Sequence, residues 1–126
     1  MNETDYDIGL AIRREALGAE YVDKAIAAAD DFNRPIQDMV TAWAWGNIWS
    51  RPGLDRKTRS LIVIAMLSAL NRPHELRIHL RGALNNGATR EEIRETLLQV
   101  AGYCGLPAAV DSFRNATGLF AEIDGK

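Results

Sequence analysis

Apolar side chains along this chain recur at intervals of three and four residues almost from end to end, and no β-branched run alternates cleanly between hairpin turns. That spacing gives a helix one continuous stripe to bury and gives a strand nothing coherent, so the chain is expected to be all-α. Punctuation residues divide it. Helices are expected at about 5–17, closed by Gly18, and at 19–30, where Tyr21, Val22, Ile26 and Ala29 share a face. A third should start at Asn33, with Pro35 in its first turn, carry Ile36, Met39, Val40 and Trp43, and fade near Gly46. Residues 47–54 contain Pro52 and Gly53 and read as a loop. Asp55 can cap a fourth helix reaching about Leu70, and because 61–67 are all apolar that helix is expected at the buried centre. Pro73 opens a fifth, stopped by Gly87, and Thr89-Arg90-Glu91-Glu92 is a capping box opening a sixth, with Ile93, Leu97, Val100, Ala101 and Cys104 along one side. Gly105 and Pro107 precede a final helix to about Ile123, which 115–118 should interrupt. The expectation is a bundle of six or seven helices.

At 126 residues the chain fits one domain, 1–126, with no room for a second core. Its 47% hydrophobic and 25% charged residues lie far from the composition of disordered chains. Fifteen basic against seventeen acidic side chains leave no basic field, so neither nucleic acid nor a membrane surface is an expected partner. The longest apolar run is well short of the ~20 residues that cross a bilayer. Glu3, Asp5 and Asp7 do not form the basic-then-apolar start of a secretory leader, and a cytoplasmic location is expected. The single cysteine, Cys104, excludes an intrachain disulfide, a Cys-x-x-Cys redox pair and a multi-cysteine zinc site, and no metal is expected.

Two clusters can carry chemistry. Glu75 and His79 are four apart, one helical turn on the same face, beside the stripe of Leu76, Leu80 and Ala83, with Gly82 removing bulk next to the imidazole. A carboxylate so placed can orient an imidazole for general acid or base work near neutral pH. The plainer reading is a surface pair worth about 0.2–0.5 kcal/mol. His74 reads as a surface residue of the first turn. Trp43, Trp45 and Trp49 stand just before Arg51, and flat aromatic walls beside a guanidinium suit a small planar carboxylate. The alternative makes the tryptophans core or interface residues and Arg51 an ion-pair partner. Tyr103 and Cys104 close the sixth helix, where a lone cysteine on an apolar stripe reads as a small core residue.

The segment Trp-Ala-Trp-Gly at 43–46, then Ile-Trp-Ser-Arg-Pro-Gly-Leu-Asp-Arg-Lys-Thr-Arg-Ser-Leu at 48–61, closely resembles the carboxymuconolactone decarboxylase family. So do Glu-Leu-Arg-Ile-His-Leu-Arg-Gly-Ala-Leu-Asn-Asn-Gly-Ala-Thr-Arg-Glu-Glu-Ile-Arg-Glu at 75–95 and Tyr-Cys-Gly-Leu-Pro-Ala-Ala at 103–109. The resemblance covers Arg13 to about Phe113, and the order and spacing of these pieces make it specific. It implies a single domain of the alkyl hydroperoxidase D-like helical fold, assembled as a trimer or hexamer. Peroxidases of that superfamily carry a glutamate on the central helix, a Cys-x-x-Cys pair and a histidine four residues beyond. Here those positions hold Ser60, Arg72, Glu75 and His79, so a dithiol peroxidase cycle has no thiols to use.

The activity implied by the resemblance is decarboxylation of gamma-carboxymuconolactone to beta-ketoadipate enol-lactone, in protocatechuate breakdown and without any cofactor. His79 would then donate a proton, Glu75 orient it, and Arg51 anchor the retained carboxylate. Trp45, Trp49, Tyr103 and Cys104 would form the substrate wall, with the Tyr103 hydroxyl a donor to the developing oxyanion. Gly102 stands where a larger apolar residue is usual, which widens a pocket or eases helix packing, and His74 replaces a commonly acidic residue. Decarboxylation or isomerisation of a related small lactone, or a non-catalytic helical oligomer that binds a ligand, are the competing readings.

Overall fold

The chain runs as α1 (Glu3–Leu17), α2 (Ala19–Ala27), α3 (Arg34–Met39), a π-helix (Val40–Trp49), α4 (Arg56–Ala69), α5 (Pro73–Asn85), α6 (Arg90–Cys104) and α7 (Leu106–Ile123). These elements come from a computed structural model that describes residues 2–126. Every regular element among the described residues is helical, as the spacing predicts, and none is long and apolar enough to cross a membrane. The chain divides into two compact units, one ending at Arg56 and the other spanning Lys57–Lys126.

In the first unit, α1 opens on a capping box in which the Asn2 side chain accepts from the Asp5 N–H at 2.9 Å. Helix α1 then packs on the π-helix almost backbone to backbone. A Cβ at Gly9 would strike the Thr41 carbonyl and sit 2.8 Å from the Gly46 nitrogen, and one at Gly46 would strike the Asp5 carbonyl. Around this contact Ala16, Val22, Ala42 and Trp45 are buried. Arg13, 5% exposed, donates to Gln37 Oε1 at 3.0 Å and Thr41 Oγ1 at 3.1 Å, so its buried charge meets polar oxygens.

Two boundaries and one cap here differ from expectation. Helix α2 stops at Ala27 rather than 30, because the Asp30 carboxylate accepts from the N–H groups of Phe32 and Asn33 and holds a turn that competes with the helix. Asn33 stands at the N-cap position of α3 as expected, but its side chain makes no cap bond and turns back to accept from the Asp30 N–H at 2.7 Å. The third helix does not fade at Gly46 but widens into the π-helix and reaches Trp49, so the loop begins only at Ser50. Gly46 reads as a stop, yet its missing side chain is what seats the helix on α1.

In the second unit, α5 and α6 pack on α7, and Ile64, Leu80, Ile93, Leu97, Ala116 and Leu119 form the centre of the core. The capping box of α6 is present: Thr89 Oγ1 accepts from the Glu92 N–H at 3.0 Å and Glu92 Oε1 from the Thr89 N–H at 2.9 Å. The Thr89 N–H and then Lys57 hold the Glu92 carboxyl below its ordinary value. Gly87 and Gly105 take positive φ, 95° and 104°, as helix stops.

Helix α4 is not buried all round. Ser60, Ile64 and Ser68 point inward, whereas Ile62, Met66 and Leu70 are exposed, since an apolar run longer than two turns covers both faces of a helix that has neighbours on one. Helix α7 continues through 115–118; the Asn115 amide donates across to the Pro73 carbonyl at 2.8 Å and so does not compete for its own backbone. Cys104 is exposed rather than core, because the stripe of Ile93, Leu97 and Val100 runs out of covering residues at the end of α6. Around Gly102 a Cβ would meet no atom within 4 Å, so that glycine serves no close packing in this chain.

Candidate active site

The tryptophan cluster is built by the π-helix. Trp45 is 3% exposed, and its ring stacks on that of Trp49 with centroids 4.4 Å apart and planes at 27°. Trp49 is half-buried and Trp43, 55% exposed, lies outside the stack. Arg51 follows two residues beyond the π-helix on an exposed turn, its N–H bonded to the Ile48 carbonyl at 3.1 Å. A stacked indole pair followed at once by a guanidinium can receive a flat anion, ring against ring and fork against carboxylate.

Helix α5 carries the acid-base pair. Arg72, in non-helical geometry before Pro73, sets the start of the helix, and Leu76, Leu80 and Ala83 are buried. Glu75 is exposed in the first turn and His79 half-buried one turn on, so the imidazole sits at the edge of the core as its spacing predicts. His74 is exposed. Gly82, three residues after His79, is buried. Ser60, on α4, is 1% exposed and accepts from the Asn86 amide at 2.9 Å.

Tyr103 and Cys104 belong to a third locus. Together with Thr58, Leu61, Ile62 and Ala65 of α4 and Thr96, Gln99 and Val100 of α6 they line an open, largely apolar groove of about 610 Å³. Tyr103 is 84% exposed at its mouth. Glu75 and His79 are not among the lining residues of this groove. Its α4 and α6 members do not stand out from sequence, although their three- and four-residue spacing on each helix is the signal that would find them. Asn86 is equally inconspicuous, since an asparagine before Gly87 reads only as helix termination. Among the described residues no group of three or more histidine, cysteine, aspartate or glutamate side chains could hold a metal ion.

Residues 34–117 match the carboxymuconolactone decarboxylase family, and the chain belongs to that family. It is 43% identical over 122 residues to the 4-carboxymuconolactone decarboxylase of Acinetobacter baylyi, covering 97% of this chain and 91% of that one. It is also 47% identical over 107 residues to the nitrosuccinic acid decarboxylase of Metarhizium robertsii, covering 85% of this chain and 75% of the relative.

Proposed function

We propose that the protein is a carboxy-lyase that converts gamma-carboxymuconolactone to beta-ketoadipate enol-lactone in protocatechuate catabolism. The observation that carries this reading is the near full-length similarity to a decarboxylase named for that substrate. The chemistry needs no added electron sink. As the bond to the departing carbon dioxide breaks, its electron pair passes through the ring double bond to the lactone carbonyl, giving an aromatic furanolate. The protein then has to hold the retained carboxylate, favour the developing oxyanion and protonate the ring carbon alpha to the carbonyl.

The assignments follow side-chain chemistry. His79 donates the proton and Glu75 orients it; Arg51 anchors the retained carboxylate; Trp49, backed by Trp45, and Tyr103 with Cys104 are assigned the apolar wall, with the Tyr103 hydroxyl as the donor to the oxyanion. We also propose that the chain works in the cytoplasm as one domain of a homo-oligomer, a trimer or hexamer. Exposed apolar rows at Ile36, Met39 and Trp43, and at Ile62, Met66 and Leu70, support assembly. A second substrate class is favoured by the 47% identity to a nitrosuccinic acid decarboxylase. A nitro-substituted dicarboxylate can lose carbon dioxide by the same logic, with the electron pair passing to the nitro oxygens and one carboxylate retained.

Incubation of the purified protein with gamma-carboxymuconolactone, without metal or nucleotide, should give ultraviolet loss of the substrate and stoichiometric carbon dioxide. His79→Ala should lower turnover by about 10²- to 10⁴-fold while remaining folded. Wild-type turnover in His79→Ala would remove the proton-donor assignment, and stoichiometric binding without turnover by the native protein would point to a non-catalytic oligomer.

A further inference from the structure

A π-helix is rare beyond a single turn and tends to occur at functional sites, yet here one spans Val40–Trp49 and ends just before the proposed carboxylate anchor, Arg51. Something must hold the wide register. The Asn47 amide donates to the Ala42 carbonyl, five residues back, at 2.9 Å. In an α-helix residues five apart are separated by about 7.5 Å along the axis and roughly 140° around it, which puts that carbonyl on another face, away from a short amide. The bond therefore spans the same interval as the π-helix's own backbone bonds and exists only while the helix is wide. Ser50 Oγ donates to the Gly46 carbonyl at 2.6 Å and secures the last turn.

We infer that Asn47 is a positioning residue: its amide holds the wide register and so sets the direction in which Trp49 and Arg51 meet the substrate. This rests on Arg51 being the carboxylate anchor. A slip of one residue in register turns everything downstream by about 100° and shifts it by about 1.5 Å, and both Trp49 and Arg51 lie downstream. The Trp45 and Trp49 rings, stacked at 4.4 Å, are four residues apart and stay neighbours in either register, but the angle at which they meet changes with it. Asn47 itself is exposed, so replacing it empties no core space.

The test compares Asn47→Leu, which keeps the size and loses the donor, with Ser50→Ala and Arg51→Ala, using gamma-carboxymuconolactone as substrate. Asn47→Leu should raise KM about tenfold and leave kcat within about twofold, since misplacing an anchor weakens binding before it touches the chemical step. Its near-ultraviolet circular dichroism should change in the tryptophan region, because the two indoles meet at a different angle once the register slips. Ser50→Ala should move both readouts in the same direction by a smaller factor. Arg51→Ala should raise KM while leaving the tryptophan signal in place. An unchanged KM in Arg51→Ala would remove the anchor reading beneath this inference. If Arg51→Ala raises KM but Asn47→Leu and Ser50→Ala keep wild-type KM and tryptophan signal, the positioning role alone is overturned. A fall in kcat with KM unchanged in Asn47→Leu would also overturn it, marking a residue that matters only for the amount of folded enzyme.

Discussion

Where α1 meets the π-helix, Gly9 and Gly46 let two backbones touch, whereas α5, α6 and α7 are joined through Leu80, Leu97 and Leu119. The two contacts fail in opposite directions. A seat made of absent side chains has nothing to lose by truncation and no space for growth; a seat made of leucines tolerates an isosteric exchange but not a void. The first arrangement also accepts a helix of unusual width, because the partner backbone follows whatever surface the glycines leave. The second demands regular helices whose stripes stay in phase over several turns.

Truncation in the second unit should give the larger effect. Leu80 is fully buried, and Leu80→Ala is expected to cost about 2–5 kcal/mol, by lost transfer energy and the cavity left behind. Urea unfolding followed by far-ultraviolet circular dichroism measures it; a cost under about 1 kcal/mol would show that the core collapses around the gap and that this contact is no tighter than the other. In the first unit the informative change is growth. In a free helix Gly→Ala gains about 1 kcal/mol of propensity, so the sign of Gly9→Ala is diagnostic. Because the new methyl meets the Thr41 carbonyl rather than a movable side chain, we expect a net loss of about 1–3 kcal/mol and altered emission from the buried Trp45. A stabilised Gly9→Ala protein would mean that the backbones are not in contact.

The same contrast explains what could be read in advance. The capping box at Thr89, the stops at Gly87 and Gly105, and the face shared by Glu75 and His79 were legible because they depend on neighbours within four residues in regular helices. The π-helix was not, since Gly46 signals termination locally and is retained only because α1 lies against it. Asn47 reads as a loop residue for the same reason: its partner, five residues back, is within reach only after the helix has widened. The three tryptophans and Arg51 stand out as a cluster, and Trp45 and Trp49, four apart, are neighbours by helical spacing alone; which indole is buried depends on how the helix seats on α1. The groove beside Tyr103 was hidden differently. Thr58, Leu61, Thr96 and Gln99 are ordinary residues singly, and only two helices side by side turn them into a lining.

The smallest expected effect also belongs to the second unit, where polar contacts fasten the ends of α6 and α7. Arg90, at the start of α6, donates to both oxygens of Asp124 at 2.7 and 2.9 Å, with its guanidinium 4.5 Å from the Phe120 ring centroid. The hydrogen bond to Arg90 holds the Asp124 carboxyl below its ordinary value, and the same bond raises Arg90. A depressed carboxyl contributes stability that is present above its unfolded value and is lost as the pH falls through the folded one. Arg90 stays charged throughout that range, so the change is confined to acid, below about pH 4. Both groups face solvent, which keeps the contribution small. Asp124→Asn should therefore unfold at slightly lower urea than wild type at about pH 6, and the gap should close toward about pH 3 as wild type loses its own pair. A gap that stays constant across that range would locate the effect of the substitution in helix-end packing, leaving the ion pair without a measurable part in the second unit's stability.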